Sequence, residues 1–158
     1  MKLVDVLKPA YIKIPLTSQN KEGVIKELIN TLYQKKAIAE KDTVFQAAMD
    51  REKIMTTGVG RQVAIPHCKI KDGKEFSIAF GISESGIDFD AIDNQPVKII
   101  FLLVGPEDNP GMHIRLLSRI SRLISKEALR DKLLQVNDAD EAYQLLKTEE
   151  EKYFEIAS

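Results

Sequence analysis

Apolar residues recur three and four positions apart in NKEGVIKELINTLYQKK, at Val24, Ile25, Leu28, Ile29, Leu32 and Tyr33, with lysines on the opposite side and at the end. That spacing predicts an amphipathic helix. A second helix is expected from Asp42 or Thr43, either of which can cap it, through Val44, Phe45, Ala48 and Met49 to about Lys53. Arg51 then falls in its last turn, facing whatever follows. The pattern changes at Thr57-Gly58-Val59-Gly60, which reads as a turn, and Val63-Ala64-Ile65-Pro66 reads as a short strand with His67 at its exit. Residues 76–82 and 97–104 are β-rich runs, the second almost unbroken in apolar character, as a central strand covered on both faces would be. The polar stretch between them has room for a short edge strand. After GPEDNPG a helix is expected near Gly111, with Ile114, Leu117, Ile120, Leu123 and Ile124 on one stripe and Arg115, Arg119 and Arg122 on a solvated one. Two shorter helices are expected over 127–135 and 138–147, and residues 149–158 read as a frayed tail. Together these elements predict an α/β fold, one domain over residues 1–158, with a mixed β-sheet of four or five strands flanked by helices.

Composition narrows the classes of function. The chain has 158 residues, enough to bury roughly 68–70% of the surface of its unfolded form in one core. Lys and Arg number 23 against 24 Asp and Glu, which argues against a nucleic-acid surface or an anionic membrane as partner. The single cysteine excludes an internal disulfide and a cysteine-based zinc cage. Charges interrupt MKLVDVLKPAYIKI, and no window approaches the roughly 18 apolar residues of a membrane span, so a cytoplasmic location is expected.

Candidate chemistry centres on the two histidines. Pro66 fixes φ near −65° and removes a donor, so the chain is expected to leave the sheet there and hold His67 in a defined direction. Taken alone, that position suits a surface or capping histidine as well as a nucleophile. His113 falls in the first turn of the helix after the apolar strand. If the two strands are parallel neighbours, both histidines share one rim of the sheet. A helix N-terminus disfavours a protonated His113 and attracts an anion. Arg51 could offer a forked donor to phosphoryl oxygens. Cys68 follows His67 on extended chain, so the two side chains point to opposite sides, and a small buried thiol is the better reading than a thiolate nucleophile. A metal site of His67, Cys68 and His113 lacks a further ligand and a recognisable spacing, and no cofactor is implied. Gly58-Val59-Gly60 lacks the lysine and hydroxyl of a phosphate-binding loop.

Two blocks in order, DREKIMTTGVGRQVAIPHCKI and GIDFDAIDNQPVKIIFLLVGPEDNPGMHIRLLSRISRLI, resemble the type-2 enzyme IIA domain of the bacterial phosphoenolpyruvate-dependent phosphotransferase system. This is its fructose, mannitol and nitrogen-related class, and GIDFDAIDNQPV looks closer to the nitrogen-regulatory branch. The resemblance runs from about Leu3 to Leu146. It implies a phosphotransferase in which His67 accepts a phosphoryl group from a phosphorylated histidine-containing carrier protein, His113 neighbours and hydrogen-bonds it, and Arg51 completes the phosphate-binding side. Backbone N–H groups at the helix start would share in charge compensation. Sugar-specific relatives would pass the group to a cysteine of a IIB domain, whereas nitrogen-related ones act by binding regulatory targets. The absence of IIB and membrane IIC segments from the chain leans towards the latter, and a non-transferring interaction module is the remaining alternative. Arg61, Gln62 and Cys68 depart from the usual pattern, the last two standing where glycine is common. Gln62 implies that no glycine-only conformation is needed there, and Arg61 either adds charge at the site or points to solvent.

Overall fold

The computed structural model describes residues 1–156. A short helix α1 (Leu3–Val6), a 3₁₀ turn (Pro9–Tyr11) and strand β1 (Ile12–Lys13) open the chain, none of them legible in its periodicity. Helices α2 (Lys21–Gln34) and α3 (Lys41–Ile54) follow, then strands β2 (Gly58–Gly60), β3 (Val63–Ala64), β4 (His67–Ile70), β5 (Ser77–Ile87) and β6 (Val97–Pro106), and helices α4 (Pro110–Ile124), α5 (Glu127–Leu133) and α6 (Ala139–Ile156). The strands form one 6-stranded mixed sheet in the order β1-β5-β6-β3-β2, with β4 also on β6. Six strand segments are present where four or five strands were expected, β3 and β4 being counted separately.

Strand β6 is central, as its apolar run predicted. It pairs antiparallel with the long β5 on one edge and parallel with β3 and β4 on the other. Its two faces carry separate cores. Ile99, Phe101 and Leu103 pack with α1, α4, α5 and α6, and Ile100, Leu102 and Val104 pack with α2 and α3. The alternation follows from the two-residue period of a strand.

Pro66 does not carry the chain out of the sheet as its position in the sequence suggests. Val63 pairs with Ile99 and His67 with Leu103, the same offset, so β3 and β4 are one strand interrupted by Ile65 and Pro66 and the chain does not leave the sheet. Pro66 removes one donor from the ladder, yet its carbonyl still accepts the Leu103 N–H at 3.0 Å. His67 is thus the first residue of a strand and not a strand exit.

Three further boundaries differ. Helix α3 starts at Lys41 with Glu40 as its cap residue, ahead of Asp42 and Thr43. The buried stripe of α4 is His113, Leu116, Ile120, Leu123 and Ile124, and Ile114 is 66% exposed. Positions 113, 116, 120 and 123 have helical spacing just as 114, 117 and 120 do, and the sheet selects the former. Helix α6 runs to Ile156, so the expected tail from 149 is helical up to there, with residues 157–158 outside the described residues. The buried Glu150 anchors it: its carboxylate accepts the Leu3 N–H at 2.6 Å and the Val4 N–H at 3.3 Å and pairs with Arg119 Nε at 3.2 Å. Arg119 also lies over the Phe154 ring, 3.7 Å from its centroid, so it is no solvated stripe residue.

Candidate functional site

His67 and His113 do share one rim, because β4 runs parallel to β6 and α4 begins just after β6 ends. Val63, Ile65 and His67 project from the sheet face that α4 covers, while Ala64 and Cys68 project into the opposite core. His67 is half-buried, and its Nδ1 lies 2.9 Å from the Ile65 carbonyl oxygen. A carbonyl can only accept, so Nδ1 carries the proton and Nε2 keeps its lone pair.

His113 lies with its ring centroid 5.6 Å from that of His67, tilted by 59°. It is only 2% exposed, and neither ring nitrogen has a hydrogen-bond partner among the described residues. The hydrogen bond to His67 implied by the resemblance is therefore not formed; the tilted rings meet without a donor–acceptor contact. The N–H groups at the start of α4 are also largely committed. Pro110 has none, the Asn109 side chain takes the Met112 N–H at 3.3 Å, and the Asn109 carbonyl takes the His113 N–H at 3.3 Å. Below the rings, Gly105 of β6 has no side chain because Phe76 occupies that space, with His113 Nδ1 at 3.3 Å from where a Cβ would sit.

Arg51 is half-buried in the last turn of α3, as expected, and its Nη1 donates to the Met55 carbonyl at 3.0 Å. It thereby satisfies a carbonyl that a helix end leaves open. Its charge nonetheless reaches His67. Burial first, then Arg51 and Lys69, hold the His67 imidazole below the usual histidine value, against the Ile65 hydrogen bond and the Glu52 carboxylate, which favour the proton. His113 is pushed down to about 4 by burial, with His67 and Lys69 adding to the effect. Both rings are thus neutral at pH 7.

Two charged neighbours of the site escaped the sequence reading. Lys69 stands two residues beyond His67 on β4, hence on the same face, and is exposed. Glu52 is buried at the end of α3, continuing the stripe Val44, Ala48, Glu52. Its place four and eight residues after two buried apolar positions was the available signal. Cys68 is buried and its thiol is pushed up to about 12 by burial, which makes it inert as a nucleophile. Arg61 lies at the far end of α4, its Nη1 directed at the Ser125 carbonyl at 3.5 Å, about 18 Å along the helix from His113. It neither joins the site nor simply points to solvent. Arg61 and Gln62 sit at φ 57° and 69° in the turn between β2 and β3, so Gln62 occupies a backbone conformation that glycine would adopt more easily. Among the described residues no group of His, Cys, Asp or Glu side chains is placed to hold a metal ion, and no helix is long and apolar enough to cross a membrane.

The family described as "Phosphoenolpyruvate-dependent sugar phosphotransferase system, EIIA 2" matches residues 5–149. The chain belongs to that family. As an EIIA domain it has relatives on both of its branches. It is 34% identical over 146 residues to a nitrogen regulatory protein of Bradyrhizobium diazoefficiens, covering 92% of this chain and 95% of that protein. It is 33% identical over 140 residues to the fructose-specific EIIABC component of Bacillus subtilis, covering 89% of this chain but only 22% of that longer protein. The crystal structure of the nitrogen regulatory protein IIA-Ntr from Neisseria meningitidis superposes with a TM-score of 0.84 at 30% identity, covering 90% of this chain and 97% of that one. The α/β architecture and the EIIA assignment agree with the sequence reading.

Proposed function

We propose that this EIIA domain carries a phosphoryl group on Nε2 of His67, received from a phosphohistidine of a carrier protein. The observation that supports this most is the Ile65 carbonyl bound to His67 Nδ1 at 2.9 Å, which leaves Nε2 as the free nitrogen of a neutral ring. In the transfer, the Nε2 lone pair forms a bond to phosphorus as the donor's N–P bond breaks and its electron pair returns to the donor ring. The proton stays on Nδ1, donated to the Ile65 carbonyl, so the ring bearing the phosphoryl group is positively charged. Arg51 and Lys69 supply cations for the phosphoryl oxygens, and His113 offers a nitrogen to the group once it is bound. Ile54 and Met55, beside Arg51, and Ile114, beside His113, are exposed apolar side chains suited to docking a protein rather than a small substrate. A cytoplasmic setting follows from such donors.

Incubation with phosphoenolpyruvate, enzyme I and a histidine phosphocarrier is expected to add one acid-labile phosphoryl group, absent in His67→Ala; a persisting label in that variant rejects the assignment. The 0.84 TM-score to a nitrogen regulatory IIA supports a regulatory role. The match to a fructose-specific EIIABC component favours a second reading, transfer onward to a IIB cysteine in sugar uptake. Passage of label to a IIB domain decides for the second, and a target protein bound by only one phosphorylation state decides for the first.

A further inference from the structure

Glu52 is a charged side chain that the fold encloses, 6% exposed, at the end of the buried stripe of α3. A buried carboxylate is costly unless its oxygens are satisfied, and this one is satisfied in a particular direction. Its Oε2 accepts the Thr57 N–H at 2.8 Å and Lys21 Nζ at 3.0 Å, and its Oε1 accepts the Thr57 hydroxyl at 2.5 Å. The Thr57 carbonyl in turn accepts the Ile65 N–H at 3.0 Å, and the Ile65 carbonyl is the acceptor for His67 Nδ1. Hydrogen bonds joined through the backbones of Thr57 and Ile65 therefore link Lys21 on α2 and Glu52 on α3 to the ring of His67.

We propose that Glu52 is a positioning residue for His67, holding the Nδ1–H tautomer through Thr57 and Ile65 and stabilising by its charge the positive ring that forms when Nε2 takes the phosphoryl group. The proposal rests on the phosphoryl-carrier reading above. The groups whose charge acts on His67 are Arg51 and Glu52 from α3 and Lys69 from its own strand, with His113 of α4 against it. Arg51 and Lys69 suit the phosphoryl oxygens but oppose a positive ring. Glu52 alone among these has the sign that favours it, and its hydrogen bonds to Thr57 lead to the Ile65 carbonyl that holds the ring's protonated nitrogen. Its side chain is 3% exposed and pairs with Lys21, so its geometry is fixed before any partner arrives.

Three variants test this. Glu52→Gln keeps the shape and removes the charge, Thr57→Val removes the hydroxyl, and Thr57→Ser restores it. In the unphosphorylated protein, ¹⁵N spectra of the His67 ring are expected to show mixed tautomers in Glu52→Gln and Thr57→Val, and the wild-type Nδ1–H form in Thr57→Ser. In Glu52→Gln the His67 protonation midpoint is expected to fall further, because an anion that favoured the proton is gone; mere loosening of the site would raise it towards the usual histidine value. Transfer from the phosphorylated carrier should lose up to about 100-fold in kcat with KM unchanged, the loss expected of a misplaced reacting group. An undiminished Nδ1–H tautomer in both Glu52→Gln and Thr57→Val, or a raised midpoint in Glu52→Gln, overturns the proposal. Should Glu52→Gln fail to fold, the Thr57→Val and Thr57→Ser pair decides it by the tautomer alone. The tautomer is read without any transfer, so a wild-type protein that takes no label at His67 defeats the carrier reading while the role of Glu52 is still decided.

Discussion

Lys69 and His67 lie two positions apart on a strand, which puts both on one face, and the lysine charge disfavours protonation of His67 and of His113. A cation here serves twice: it keeps the nucleophile in its neutral form, and it meets the negative oxygens of an arriving phosphoryl group. Lys69→Met is therefore expected to raise the proton-binding midpoints of both rings, followed through their ring-proton NMR shifts between about pH 4 and 8, and to slow transfer several-fold. Midpoints that stay where they are in the wild type reject this role. Residues of this kind divide by how they could be read in the sequence. His67, His113 and Arg51 stood out as chemically distinctive types in two blocks that resemble a family. Lys69 and Glu52 belong to commoner types in a chain that is 30% charged, so only a strand or helix register could single them out. Glu52 was legible in principle, since a carboxylate on an apolar stripe must find partners, but Thr57 and Lys21 could be recognised as those partners only in three dimensions.

At the scale of elements, the long periodic helices and the apolar β6 were legible because their patterns are driven by burial against a sheet. What failed was local: where Pro66 sends the chain, which of two equivalent stripes of α4 turns inward, and how far α6 runs. Each was settled by a neighbour distant in sequence. The Leu103 N–H donates to the Pro66 carbonyl and keeps it in the ladder, the sheet draws His113 and Leu116 inward, and Leu3 and Val4 hold Glu150. Gly105 shows how tightly β6 and α4 constrain one another at the site. A methyl group there would overlap the Phe76 ring and stand 3.3 Å from His113 Nδ1. Gly105→Ala should cost about 1–3 kcal/mol, the usual range for overpacking, measured as a shift in urea midpoint. It should also change the His113 ring shifts, because Phe76 can yield only towards its neighbours, and His113 lies 6.2 Å from it centroid to centroid. A variant as stable as the wild type, with unchanged His113 signals, contradicts that packing.

For the molecule as a whole, the histidine pair couples function to stability through pH. His113 is buried at 2% exposure without a partner for either ring nitrogen among the described residues, and its midpoint is pushed down to about 4. In the unfolded chain the same ring titrates near 6.5, so between these values the unfolded state binds a proton that the folded state does not. Stability is then fully present above the unfolded midpoint and is lost as pH falls towards 4. His67, also lowered, contributes with the same sign. For His113 the full loss is on the order of 3 kcal/mol, a large part of the margin of an ordinary domain. A neutral ring is thus maintained at the site at the expense of acid stability, and the molecule retains His113 buried although an apolar residue would fill the space without that cost. The comparison is direct. Urea unfolding of the wild type at pH 7 and near pH 4.5 should show a marked loss of stability. His113→Leu should lose about 2 kcal/mol less over the same interval, since the difference between the two proteins removes the titrating groups that do not interact with this ring. Parallel losses in the two proteins would mean that His113 is protonated in the folded state, and the neutral, unpartnered ring beside His67 would have to be abandoned.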